Sequence, residues 1–394
     1  MSIRVTKPAF NLREKLSELD RPVGTHGSQI MKSNTISETA DLVGVNRKNM
    51  VINGDFRVNQ RGGSRTYGAS ATGYHFDMWY FHNGTNGTYI ASVSSAAPSP
   101  PVQTPHYLVL DCTATDTSIG TSQYASITYA VEGYNAQQAM WGTPYAKPLT
   151  MSFYHRHTAA GVYSGVVRNA SANFNYVFEY EQSSKDAWEK AVIHIKPEGT
   201  QAYNATNGKA FSFTFSMADN TYMNQTVGQW FSGTYYHASN RQTNFLNSTN
   251  NFMRFAAVQL EVGSDATPFE QRSYGEELAL CKRYYQVLVD QADTSSHKSY
   301  AIACCFSGTS LHHTHLLSPE MRTTPTLDYT TGSGYYAAFQ NGTSDTFDSM
   351  SLVGNSHINA VDIMVSSGLS VAQSAAALMR TQNGASRIAF TAEM

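Results

Sequence analysis

From about residue 48 onward the chain alternates apolar and polar positions in short runs punctuated by strong turns. That period of two marks β-strands with one buried face. The runs include SITYAVE at 126–132, FNYVFEY at 174–180, VIHIK at 192–196 and FSFTFSM at 211–217. In the last, Phe211, Phe213 and Phe215 share one face, and Ser212, Thr214 and Ser216 take the other. Asn-Gly, a strong hairpin signal, recurs at Asn53, Asn83, Asn86, Asn207, Asn341 and Asn383. The proline-rich SSAAPSPPVQTP at 94–105 cannot be a central strand and is expected as a surface loop. Many short alternating strands predict a mainly β chain built of sandwich or jelly-roll domains. No internal repeat is visible, which argues against a long β-helix.

Two stretches break the alternation. In PAFNLREKLSELDRP, Leu12, Leu16 and Leu19 fall on one helical face, with Pro22 placed to stop the helix. A polar run follows to residue 47, so residues 1–47 read as an amphipathic helix on an extended arm. Such a helix needs a partner to be stable, and the arm is expected to attach to another protein. The second stretch is FAAVQLEVGSDATPFEQRSYGEELALCKRYYQ at 255–286. Ser273 and Glu276 have capping-box spacing, which starts a helix near Tyr274. Leu278, Cys281 and Tyr285 form its apolar stripe, and neighbouring subunits are its expected cover. The predicted organisation is an arm at 1–47, a β-sandwich at 48–272, a connecting helix at 273–289 and a smaller β-domain at 290–394.

Composition narrows the function classes. With a net charge of −2 over 394 residues, nothing advertises a nucleic-acid partner. Charged residues are only 14% of the chain, so its polar surfaces are largely neutral and suited to self-assembly or sugar contact. Cys112, Cys281, Cys304 and Cys305 show no CxxC spacing, hence no disulfide framework or zinc signature. The N-terminus lacks an apolar signal core and no run approaches a membrane span. A soluble protein assembled in a reducing cytosol, without membrane insertion, is expected.

Three separated stretches resemble a family of bacteriophage virion fibre proteins, of the tail-fibre or surface-fibre type. They are NRKNMVINGDFRVNQRG at 46–62 with YHFDMWYF at 74–81, VQLEVGSDATPFEQRSYGEELALCKRYYQ at 258–286, and SPEMRTTPTLDY at 318–329 with the closing NGASRIAFTAEM. The opening KPAFNLREKLSELDRP is similar to the start of such phage proteins. The resemblance implies a homotrimeric virion protein with a carbohydrate-binding-module-like sandwich and a C-terminal oligomerising β-domain. It also implies other phage structural proteins as partners of residues 1–47.

Candidate chemistry is sparse. Asp55, Asp77 and Glu132 are carboxylates of the first domain, but no local motif pairs them as a glycosidase requires. No GxSxG, P-loop or HExxH motif occurs, so no catalytic residue and no cofactor is expected. HRH at 155–157 and HHTH at 312–315 place imidazoles two residues apart on one strand face. His313 and His315 could ligate an axial metal in a trimer, against the plainer reading of partly exposed strand residues. Aromatics beside turns offer a sugar platform: Trp141 on a loop, and the adjacent pairs Tyr235, Tyr236 and Tyr335, Tyr336. The expected function is non-enzymatic adhesion to host-surface glycan by a homotrimeric fibre in the virion. The alternatives are a capsid-surface fibre or connector without receptor function, and a polysaccharide depolymerase.

Overall fold

The computed structural model describes residues 24–33, 39, 47–102, 104–220, 225–233, 237–290, 297–307, 310–332, 334–366, 369 and 375–394. The chain divides into two compact units, Met1–Lys48 and Asn49–Met394. In the first, the described helix is Gly24–Lys32, in the stretch that the apolar pattern reads as a polar arm. The Leu12, Leu16 and Leu19 stripe lies outside the described residues.

The second unit is mainly β, as the alternation predicts. Its first half is two antiparallel sheets whose apolar faces meet. One sheet runs Arg65–Tyr67, Thr88–Ser94, Tyr107–Ala114, Phe252–Val262, Leu149–His157, Glu189–Ile195. The other runs Trp230–Ser232, Phe174–Gln182, Gly161–Asn169, Lys209–Asp219, Tyr124–Glu132, Trp79–Asn83, Ala71–Tyr74. Aromatic rings from both sheets interlock between them, with Phe215 at 4.9 Å from Phe153 and 4.8 Å from Phe255. The alternation of Phe211, Phe213 and Phe215 is thus the inner face of a central strand. Its outer face is covered as well: Ser216 Oγ donates to the carbonyl of His237, and Thr128 bonds Thr214 at 2.9 Å.

The second half pairs a three-stranded sheet (Tyr285–Asp290, Arg387–Thr391, Thr326–Tyr329) with a seven-stranded one built on Ser299–Ser307 and Ser310–Leu316. Their shared core includes Val289, Leu311, Ile363, Met379, Ile388 and Phe390. Asn341-Gly342 makes a two-residue hairpin there, both residues at positive φ (50° and 80°), as a type I′ turn demands. Cys304 is exposed and Cys305 buried, on opposite faces of one strand, and all four cysteines are free.

The Tyr274–Lys282 helix forms where its cap predicts, with Ser273 Oγ accepting from the Glu276 N–H at 3.3 Å. Its stripe, however, is covered by its own chain. Cys281 and the adjacent Tyr284 are fully buried in the sandwich core, and Leu278 packs against that core. The helix expected to reach 289 ends at Lys282, and Tyr285 instead opens the strand Tyr285–Asp290, fully buried under the Arg61 guanidinium at 3.6 Å. The expectation that Leu278, Cys281 and Tyr285 meet a second subunit is therefore corrected. A short helix cannot hold an apolar face open when a core lies one turn away.

Around that helix the stretches that carry the family resemblance converge. Arg272 donates to the carbonyls of Asn49 and Val51 and pairs with Glu277 at 3.3 Å. Gln60 bridges Asp77 and the Tyr285 carbonyl, while Arg61 pairs with Glu393 at 3.0 Å. Arg322 donates to the Ala392 and Glu393 carbonyls. Gly54 is needed because a Cβ there would lie 2.1 Å from the Val258 oxygen, across a bulge in the Phe252–Val262 strand. These motifs encode a joint, so they mark architecture rather than chemistry.

Candidate functional site

The carboxylates are absorbed by that joint. Asp77 accepts from Gln60 N–H at 2.8 Å and from its side-chain amide at 2.6 Å, and Asp55 pairs with Arg57 at 2.9 Å. Glu132 accepts from Arg283 at 2.7 Å and from the Tyr284 hydroxyl. Each is buried and partnered, which makes it a structural tie.

The histidines are absorbed by the cores. His155 and His157 lie inside the sandwich, where burial lowers His155 to about 4 and His157 well below the ordinary imidazole value. His313 is 5% exposed, its ring 5.7 Å from Tyr300, and His315 stacks on Phe390 at 5.6 Å. Both point into the C-terminal core, so the axial metal reading of His313 and His315 is corrected. The odd positions of that strand face its partner sheet, with His312 on the other side. Among the described residues, no group of three or more His, Cys, Asp or Glu could hold a metal ion. None of the described helices is long and apolar enough to cross a membrane.

Of the aromatic candidates, Tyr235 and Tyr236 lie outside the described residues. Tyr336 is fully buried and Tyr335 packs half-buried against the same core, which corrects that pair as a platform. The remaining candidate, Trp141, leads to a site. It sits in the loop after Tyr124–Glu132, which begins with the short Gly133–Ala136 helix. A second loop, at 196–208, lies against it. Gly133 N–H donates to the Gly208 carbonyl at 2.8 Å, Tyr134 N–H to Thr206 at 2.9 Å, and Gly142 N–H to Glu198 at 2.9 Å. Gly142 has φ +78°, and a Cβ there would meet the Gln201 oxygen at 2.5 Å. Glu198 fixes its own loop by accepting from the Thr200 and Gln201 N–H groups at 2.7 and 3.0 Å.

Between the two loops is a pocket of about 220 Å³. Trp141 and Phe211 form part of its wall, ring centroids 4.7 Å apart, with Tyr203 edge-on to Trp141 at 5.5 Å. Met140, Gln137 and Asn204 also line it. Trp141 is only 7% exposed, and its indole N–H donates to the Lys147 carbonyl at 2.8 Å. The loop placement expected for Trp141 holds, but its ring is largely core and offers the pocket a limited surface. Tyr134 and Tyr145, from the same loop, are well exposed.

The Tyr203 hydroxyl is buried with no hydrogen bond of normal geometry. Burial, and then the nearby Glu198 carboxylate, hold its phenol well above its ordinary value, so it is a neutral hydroxyl. Tyr203 and Gln137 are the residues that sequence reasoning misses. The available signal was a lone Tyr before an Asn-rich turn, QAYNATNG, and it does not say which loop would lie opposite.

Comparison with known proteins gives likeness of structure only. No protein-family model matches the chain, and no curated protein matches it by sequence. Among solved structures it is similar to the enzymatically active domain of tailspike protein 4 of bacteriophage CBA120, at 9% identity and TM-score 0.28. That likeness covers 55% of this chain and 21% of that domain's chain. It is similar to the carbohydrate-binding module TmCBM61, solved with beta-1,4-galactotriose, at 13% identity and TM-score 0.28, covering 55% of this chain and all of the module. A family 11 carbohydrate-binding module of a cellulosomal cellulase of Clostridium thermocellum gives 13% identity and TM-score 0.26, over 52% and 97% of the two chains. Alignments this loose carry no argument about ligand or activity.

Proposed function

We propose that the chain is a glycan-adhesion protein of a bacteriophage virion, acting as a homotrimer and releasing no product. The observation that carries the adhesion reading is the aromatic-walled pocket between the 133–147 and 196–208 loops. Sugars present C–H faces that pack on aromatic rings and hydroxyls that bond amides and phenols, and this pocket has both kinds of partner. Single-site affinity from so small a pocket is weak. Repetition over three chains and many fibres raises avidity by orders of magnitude.

Self-association is supported by the outer face of the seven-stranded C-terminal sheet. Ile302, Phe306 and Leu316 are 71, 78 and 75% exposed there, and Cys304 shares the face. Apolar side chains grouped this way mark an interaction surface. Attachment to the particle is assigned to residues 1–47, with other phage structural proteins as partners.

The test is a binding titration of purified protein with host surface polysaccharide, run alongside a reducing-end assay. Saturable binding without reducing ends supports adhesion. Steady release of reducing ends would replace adhesion with depolymerisation. Antibody labelling of intact particles separates a tail position from a capsid-surface one.

A further inference from the structure

We infer that the pocket takes one neutral sugar ring bearing a methyl-containing substituent such as a 6-deoxy or N-acetyl group. This deepens the adhesion reading and depends on it. Size sets the first limit. A dry cavity of about 150 Å³ holds one benzene ring, so about 220 Å³ holds one six-membered ring with a small substituent. The pocket is half open to solvent, so the ring seated in it can be linked to further rings outside.

Charge sets the second limit. None of the ten lining residues is Lys, Arg, His, Asp or Glu. A uronate or sialate carboxylate would leave water with no counter-charge, a desolvation that nothing here offsets. The charged group behind the wall is the Glu198 carboxylate, which acts on Tyr203 and would repel an anion further.

The lining chemistry sets the third. Six of the ten lining residues are apolar: Ala136, Met140, Trp141, Ala205, Ala210 and Phe211. A hexose with a hydroxyl on every available carbon would bury some of them against methyl and ring carbons. A 6-deoxy or acetyl methyl places apolar surface where the wall is apolar. The polar wall is already partly committed. Gln137 Nε2 donates to the Ala205 carbonyl at 2.7 Å, and Thr143 Oγ1 donates to Met140 at 2.6 Å. The Tyr203 hydroxyl is buried beside Glu198, behind the wall, so Tyr203 offers the pocket its ring.

The experiment titrates the full chain by calorimetry with methyl rhamnoside, methyl fucoside, methyl N-acetylglucosaminide, methyl glucoside, methyl galactoside and methyl glucuronide. At least one methyl-bearing sugar should bind tenfold or more tighter than the plain hexosides, and the uronide should not bind detectably. The deoxy and acetyl arms tell which substituent is read. Equal or tighter binding of a plain hexoside or the uronide overturns the inferred class while leaving adhesion intact. Binding of intact polysaccharide but of none of the glycosides overturns the single-ring pocket. Binding of neither overturns the adhesion reading itself. Tyr203→Ala should weaken the preferred glycoside about tenfold with the circular dichroism of the parent retained, since it removes a ring from the pocket wall. Unchanged affinity in that variant would remove Tyr203 from the site.

Discussion

Single residues hold the two loops and the joint in place, and their chemistry can be read one at a time. Gly142 combines a left-handed backbone with a carbonyl pressed against its missing side chain. Gly142→Ala should cost roughly 1–3 kcal/mol and open the pocket. Thermal unfolding and glycan titration should then fall together. Glu393 is a different case, because burial raises its carboxyl to about 7 from 4.5, with Arg61 pulling it back down. A folded value above the unfolded one means that this group's stability is complete below pH 4.5 and is lost as pH rises toward 7. Relative to the parent, Glu393→Gln should gain stability as pH rises through that window. Denaturant unfolding of both proteins at several pH values checks it, and a constant difference would refute it.

At the scale of elements, the Tyr274–Lys282 helix shows how a local signal and a tertiary contact divide the work. Its start is set by Ser273 and its direction by the core that receives Cys281 and Tyr284. Just past its end, Arg283 and Tyr284 both bond Glu132, whose side chain is almost fully buried. Arg283→Met should leave that carboxylate without its cation and destabilise the fold by about 3–5 kcal/mol. Adding Glu132→Gln should recover part of the loss, and chemical denaturation of the single and double variants would show the coupling. The strands were largely legible from alternation, FSFTFSM above all, because one buried face forces a period of two. The loops at 133–147 and 196–208 were not, since their pairing depends on backbone bonds between residues 56 to 75 positions apart.

For the whole molecule, the two apolar candidates for assembly have opposite fates. The helix stripe is consumed inside the chain, whereas Ile302, Phe306 and Leu316 stay exposed on the C-terminal sheet. Phe306→Asp with Leu316→Asp should therefore reduce the proposed trimer to monomers and leave the fold intact, as exposed side chains support no core. Mass measurement in solution and circular dichroism together check this, and intact trimers would move the interface elsewhere.

The sequence by itself determined the strand-rich class, the capped helix, the opposite faces of Cys304 and Cys305, and a chemistry without a recognisable catalytic motif. Those features depend on neighbours within a few residues, where periodicity and capping act directly. Only the tertiary structure decided which polar and aromatic groups are spent on the fold. It put Asp77 and Glu132 into a joint, His313 and Tyr336 into a core, and Trp141 and Tyr203 on one pocket wall. Burial and partnership are set by chain segments distant in sequence, and no local pattern records which distant segment will arrive.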